Sequence, residues 1–581
     1  MSAIAGYIGN STPDILDRML VAVSYRGDRS DAASVPGAAV GYRMWSGRPG
    51  KSSAVHREGQ SLAAVSGPFA PPVASPAGEL PSLFADPARL ERLDGNFAGA
   101  WWDGNRRRLT LIRDPFGVRS LYYTEHAGVF YFASELKQLL AIPGLPIEPD
   151  PIAIHKYLTF SFVPGEDVPV RGIKRLLPGR FAVWEDGKLA VTSYFTLRED
   201  IDPALEDRKT AVRLVRRLCR EAVARRLNGE REVGLFLSGG LDSSGVAVWL
   251  RQVGVDVKAF TLDFGKYAVE KEQAKAVAQT LGISLTDVKV GGEDLAPVLM
   301  DLVWKLDLPF GDPVTAPQFL LARAARQSGL SAVFNGEGGD QLFGGWTSKP
   351  MISAQLYSGL YGEDSREQLY LRSYHRFYGL EDRLYTPDFL ARVGTPGQRR
   401  AVLAPYLHSQ QASTFLNRVR LADVSLKGSQ NILPRMDRTS QCWGLDVRVP
   451  LFDRALAKAS FRLPPRLKLH GACEKYVLKL ALQKFLPREI VWRRKFGMSV
   501  PITEWVLGPL AGVLEDLLGP AALARRGMFR PDYVAELRRG HDIPSEIRRR
   551  RVGERLWTLA MLEAWMRVFI DGRGRSPGGP E

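Results

Sequence analysis

The chain has 581 residues, 45% of them hydrophobic and 10% aromatic, which is too long for one core and implies about two to four globular domains. No run approaches the roughly 18 apolar residues of a membrane span. The opening MSAIAGYIGN, with no basic segment ahead of an apolar run, is not expected to be a signal peptide. The net charge of +16 comes from dispersed arginines, and even Arg548–Arg551 leads into an apolar helical pattern. Solvated helix faces and a bound anionic ligand account for it better than a nucleic-acid partner. Cys219, Cys442 and Cys473 stand far apart, which argues against disulfides or zinc and for a reducing, cytoplasmic setting.

In chain order, residues 1–195 read as short alternating strands: AVGYRMW, LAAVSG, GAWWDG, RLTLIRD, SLYYTE, VFYFAS, RFAVWEDG and LAVTSYF. Gly, Asp and Pro punctuate them, so a β-rich layer with few helices is expected, and the Pro/Ala-rich stretch from Pro68 to Pro87 reads as a loop. Residues 208–228 carry a helical period. Apolar strands follow at Val233–Leu237, Lys258–Asp263 and Ala332–Asn335 with helical segments between, the pattern of a parallel sheet covered on both faces. From Leu356 the pattern is mainly helical. The second domain is placed at 205–570, with 571–581 (DGRGRSPGGPE) a disordered tail.

Three segments carry chemistry. The first, GLFLSGGLDSSG, is a strand, a Gly-Gly turn and a helix start. Backbone N–H groups at such a helix start bind an anion. Gly239 and Gly240 admit a phosphate closely, and Ser238, Ser243 and Ser244 offer hydroxyls. Asp242 suits a bare anion poorly, so Mg²⁺ between it and the phosphates of ATP is implied. The Walker A pattern is absent. A plain strand-to-helix turn would need a capping Asp or Ser, but neither two glycines nor three serines. The second segment, FNGEGGDQLFGG (334–345), also follows a strand, so its carboxylates face the crevice at the strand ends. Asp340 is a second candidate for Mg²⁺, and Glu337 a candidate base for an incoming amine; a flexible glycine loop is the bland alternative. The third, GACEKY (471–476), would alone be an ordinary helix start with a surface lysine.

Taken together the motifs resemble the asparagine synthetase family. The N-terminal part carries IAGYIG (4–9), YRG (25–27), LDGNF (93–97), RDPFGVRSLYY (113–123), FASELK (132–137) and LPG (177–179). The C-terminal part carries SGGLDSS, GEGGDQLFGG, LPRMDRTSQCWGLDVRVPLFD (433–453), CEKYVLK (473–479), RRKFGMSVP (493–501) and ERLWTLAMLEAW (554–565). The resemblance implies an α/β multidomain protein. Residues 1–195 would form an Ntn-hydrolase-like αββα sandwich of glutamine-amidotransferase type. Residues 205–570 would form a Rossmann-like parallel-sheet ATP-pyrophosphatase domain with helical additions.

By the same resemblance Ser238, Gly239, Gly240, Asp242 and Ser243 hold ATP and its pyrophosphate. Asp242 and Asp340 hold Mg²⁺, Glu337 orients or deprotonates the amine, and Lys475 neutralises charge on an acyl-adenylate. Leu237, Leu262 and Gly336 line the adenosine pocket. The chain departs from the family at the glutaminase end. Ser2 stands where a glutamine-using member needs cysteine, with Ala3 in place of glycine. Ser66-Gly67-Pro68 replaces Asn-Gly-Glu, and Tyr25 replaces histidine, while Asp94 and Gly95 survive.

Three readings follow. The first is a ligase using a substrate's own amine, resembling lasso-peptide macrolactam cyclases and β-lactam synthetases, with a peptide or small-molecule carboxylate as substrate and a precursor peptide or protease as partner. The second is an asparagine synthetase using ammonia. The third is a non-catalytic binding relative. The departure at Ser2 favours the first, and retention of Glu337, Asp340 and Lys475 opposes the third. Segment 346–430, opening with Trp346-Thr347-Ser348-Lys349-Pro350, is expected to cover the acyl pocket; a homodimer is left open.

Overall fold

The computed structural model describes residues 2–576 apart from 13, 47–54, 346–350, 353–365, 375, 395–396, 494–499 and 541–545. Segment 346–350, with Lys349, most of RRKFGMSVP and the tail from 577 therefore lie outside the described residues. Among the described residues no helix is long and apolar enough to cross a membrane.

The first 193 residues build two six-stranded antiparallel sheets. In one, Ser2–Ile8 runs between Ala38–Met44 and Val129–Ala133. In the other, Ala98–Asp103 lies between Ser61–Ser66 and Arg108–Arg113. The sheets stack through Ile4, Val40, Phe132, Leu62, Ala100 and Leu111. Helices Ile15–Val21 and Leu136–Leu140 pack on the outside of the first. This is the expected αββα sandwich.

Ser2–Ile8, as a central strand, is buried on both faces and so carries no alternation in sequence. One local reading is corrected. The stretch taken as a loop contains a helix, Pro76–Ala85. Ser75 accepts the Gly78 N–H at 3.2 Å, and Pro76 sits at the first turn, where it has no hydrogen bond to lose. Ala77, Leu80 and Leu83 then cover Ala63 and Val65 of the second sheet.

The second region is built on a five-stranded parallel sheet in the order 284–289, 256–263, 232–236, 332–335, 446–448. Strand order reverses between Glu232–Phe236 and Ala332–Asn335, which pair directly. Their two outgoing loops therefore share the crevice where such sheets take ligands. The outer strands were not visible in the sequence, one being largely exposed and the other three residues long. Residues 571–576, expected as disordered tail, are instead held in place: Trp304 Nε1 donates to the Gly574 carbonyl at 2.9 Å, and Arg526 pairs with Asp571 at 2.6 Å.

Candidate active site

The strand Glu232–Phe236 ends in Ser238-Gly239-Gly240, and the helix Leu241–Gln252 starts at once. Gly239 has φ +72°, and a Cβ there would strike the backbone at Ala274, so the turn demands glycine. Ser243 Oγ accepts the Ser238 N–H at 3.2 Å and lies 3.1 Å from Ser238 Oγ, closing a hydroxyl-lined turn at the helix start. Ser244 does not join it. Successive helical residues point about 100° apart, and Ser244 is wholly buried behind the loop.

The second loop packs backbone against backbone on the first. A Cβ at Gly336 would collide with the Ser243 main chain, and one at Gly339 with the Asp242 carboxylate. This contact is why the motif needs its glycines, and it brings Asp340 opposite Asp242. The third segment supplies the cation between them. Lys475 Nζ bonds Asp242 Oδ2 and lies 2.8 Å from Asp340 Oδ1, with the lysine 3% exposed. Lys475 holds a left-handed backbone, φ +54°, just ahead of the helix Tyr476–Leu482, strain of a kind that concentrates at functional sites. Burial works against its ammonium, but Asp242 and Asp340 outweigh burial and raise its pKa above the ordinary lysine value. The bland surface-lysine reading is thereby excluded.

A cavity of about 310 Å³ opens over these groups. It is lined by Leu237, Ser238, Gly240, Asp242, Ser243, Leu262, Gly336, Glu337, Asp340 and Lys475. Ser244 does not line it. Cys473, half-buried, does not line it either.

Several lining residues escaped the sequence. Arg435 and Asp312 pair across one wall at 2.6 Å, and Arg493 pairs with Glu270 at 2.7 Å. Lys427 lines the cavity from a π-helical stretch, Asp423–Ile432. The i→i+5 pattern aligns Lys427 with Ile432, also a lining residue; in an α-helix positions five apart diverge by about 140°. Among the described cations of the cavity, Lys427 alone has no carboxylate partner. No third His, Cys, Asp or Glu joins Asp242 and Asp340 in a metal-type cluster among the described residues. Two converging carboxylates nonetheless match the habit of Mg²⁺, which takes one or two protein carboxylates and fills the rest with phosphates and water.

At the other end, Ser2 is 2% exposed and its Oγ lies 3.0 Å from Ser66 Oγ, which donates to the Ser2 carbonyl at 2.9 Å. Tyr25 donates to Glu135 at 2.6 Å and packs on Trp304. Asp94 accepts the Gly95 N–H at 2.8 Å and lies 3.6 Å from Arg226. These contacts are internal to the packing.

Comparison with known families gives two matches, to Asparagine synthase over residues 214–567 and to a Glutamine amidotransferase domain over residues 85–195. The chain belongs to the asparagine synthase family. A putative asparagine synthetase (glutamine-hydrolyzing) of Mycobacterium bovis is 30% identical over 525 residues, 83% of this chain and 78% of that protein. Asparagine synthetase (glutamine-hydrolyzing) 1 of Bacillus subtilis is 26% identical over 83% of this chain and 79% of its own length. Amidase chyE of Penicillium rubens is 26% identical over 74% and 73%. As a member of this family the chain is an ATP-dependent amide ligase.

Proposed function

We propose that the chain activates a substrate carboxylate as an acyl-adenylate, releasing pyrophosphate, and that an amine carried by the substrate itself then displaces AMP. The observation that carries the first step is the meeting of Asp242, Asp340 and Lys475, from three separate segments, beneath the Ser238–Ser243 turn. The N–H groups and hydroxyls of that turn bind and orient the departing pyrophosphate. Leu237, Leu262 and Gly336 hold the adenosine. Asp242 and Asp340 would hold Mg²⁺, which supplies positive charge to the phosphates as they separate. Lys475, kept cationic by its two carboxylates, neutralises charge at the reacting centre. Glu337, partly exposed at the cavity wall, orients the amine and takes its proton.

The second step follows from Ser2. A hydroxyl ionises far less readily than the thiol that glutamine hydrolysis calls for, and this one is engaged with Ser66. An asparagine-forming reaction with free ammonia is the second reading, supported by the likeness to the M. bovis and B. subtilis asparagine synthetases.

Adenylation is tested by supplying a carboxylate labelled with ¹⁸O. Label in the phosphate of AMP is the expected result. Label in inorganic phosphate, with ADP as product, would overturn the proposal.

A further inference from the structure

One wall of the cavity is the Arg435–Asp312 pair, and both of its members are tied to the N-terminal domain by residues close to them in sequence. Asp312 lies on the loop that leaves the helix Leu299–Leu306 through Asp307. Arg435 lies one turn before Arg438 on the helix Leu433–Gln441.

Asp307 is fully buried and adopts φ +69°, a conformation that costs a non-glycine residue on the order of 1–3 kcal/mol unless its surroundings impose it. The surroundings come largely from the other domain. The N–H groups of Leu136 and Lys137, at the start of an N-terminal-domain helix, donate to its two carboxylate oxygens at 2.6 and 3.0 Å. Lys137 Nζ lies 3.0 Å from the same carboxylate. Four residues on, the Gly311 N–H donates to the Ser161 carbonyl at 2.8 Å, and a side chain at Gly311 would crowd the Tyr157 hydroxyl.

Arg438 is clamped in the same way, 3.0 Å from Glu135, 3.3 Å from Asp307 and donating to the Ser134 carbonyl at 3.1 Å. Both backbones that present the Asp312–Arg435 pair are thus fixed from across the domain boundary.

We propose that Asp307 is a positioning residue: by docking on the N-terminal domain it sets the loop and helix that hold Asp312 against Arg435 in the nucleotide cavity. The sandwich thereby serves as a brace for the synthetase site whether or not Ser2 does chemistry. The proposal rests on the reading of this cavity as the adenylating site. Ordinary interdomain packing would stabilise the fold without a specific dependence on the Asp312–Arg435 pair.

The test uses the full-length protein with Asp307→Asn, Arg435→Met and the double variant, read by hydrogen exchange and by titration with Mg·ATP. Asp307→Asn should speed exchange of the amides between Leu308 and Thr315 and weaken Mg·ATP about tenfold, the scale of losing a residue that orients another. The double variant should bind Mg·ATP no more weakly than Arg435→Met alone, because the brace acts through that pair. Should Asp307→Asn fail to fold, Asp307→Gly removes the carboxylate while accepting the positive φ, and the same expectations apply. Unchanged loop exchange, or losses that multiply in the double variant, would overturn the brace. Failure of the unmodified protein to bind Mg·ATP would instead remove the proposed function, and the exchange measurement would still decide the brace.

Discussion

The two ends of this molecule use charge in opposite ways. In the parallel-sheet region, carboxylates and a lysine from three segments converge on one point, and the charges line an open cavity. Where the sandwich meets that region, Glu135, Arg26 and Lys137 form an equally dense cluster with Arg438 of the helix Leu433–Gln441, but it is closed: each group is at most 3% exposed and faces protein on all sides. Burial works against the Glu135 carboxylate, yet Arg26, Lys137 and Arg438 hold its pKa well below the usual carboxylate range. The lesson is that dense buried charge does not by itself mark a catalytic site; access decides.

That contrast can be broken by mutation, beginning with the largest effect. Lys475→Ala should lower AMP formation by at least about 10³-fold, since it removes a preorganised cation where charge develops; quenched-flow assay of AMP checks this. Glu337→Gln should cost about 10²-fold or more in amide formation while sparing pyrophosphate release, because it removes a base and no phosphate contact. Lys427→Met should raise KM for an acidic acyl substrate by about tenfold, with kcat little changed, as expected for one lost charge-assisted contact. Ser2→Ala should leave amine-dependent synthesis unaltered, and a large loss there would reverse the assignment of the two ends.

The pH responses also differ. The Lys475 pKa is raised in the folded state, so its contribution to stability is complete below the unfolded lysine value of about 10.4 and is lost only as pH climbs past the folded value. No alkaline limb from Lys475 should appear in the rate profile below about pH 10. The Glu135 pKa is lowered, so its contribution is present above the unfolded value of about 4.3 and is lost as pH falls beyond it. Acid unfolding monitored by circular dichroism should show the closed cluster persisting through mildly acid conditions.

The loops were legible because their glycines answer to local geometry: Gly239, Gly336 and Gly339 stand where a Cβ would strike a neighbour. Lys475 was legible only through resemblance, since nothing nearby in sequence reveals that Asp242 and Asp340 fold onto it. Ser244 was over-read, because helical rotation turns one of two adjacent serines away from the loop. Lys427 could not be found by a period of 3.6, as it faces the cavity through a π-helix. Arg435 and Asp312 lie far apart in sequence and meet only through tertiary packing, which sets the helix Leu433–Gln441 beside Thr315–Gln327.

The most direct test of the contrast is a pyrophosphate-release assay on the full-length protein with candidate carboxylates, run with ammonium, with glutamine and with no added amine. The account predicts release that glutamine does not increase and that yields no glutamate. Release that depends on glutamine, with glutamate formed in step with AMP, would contradict it.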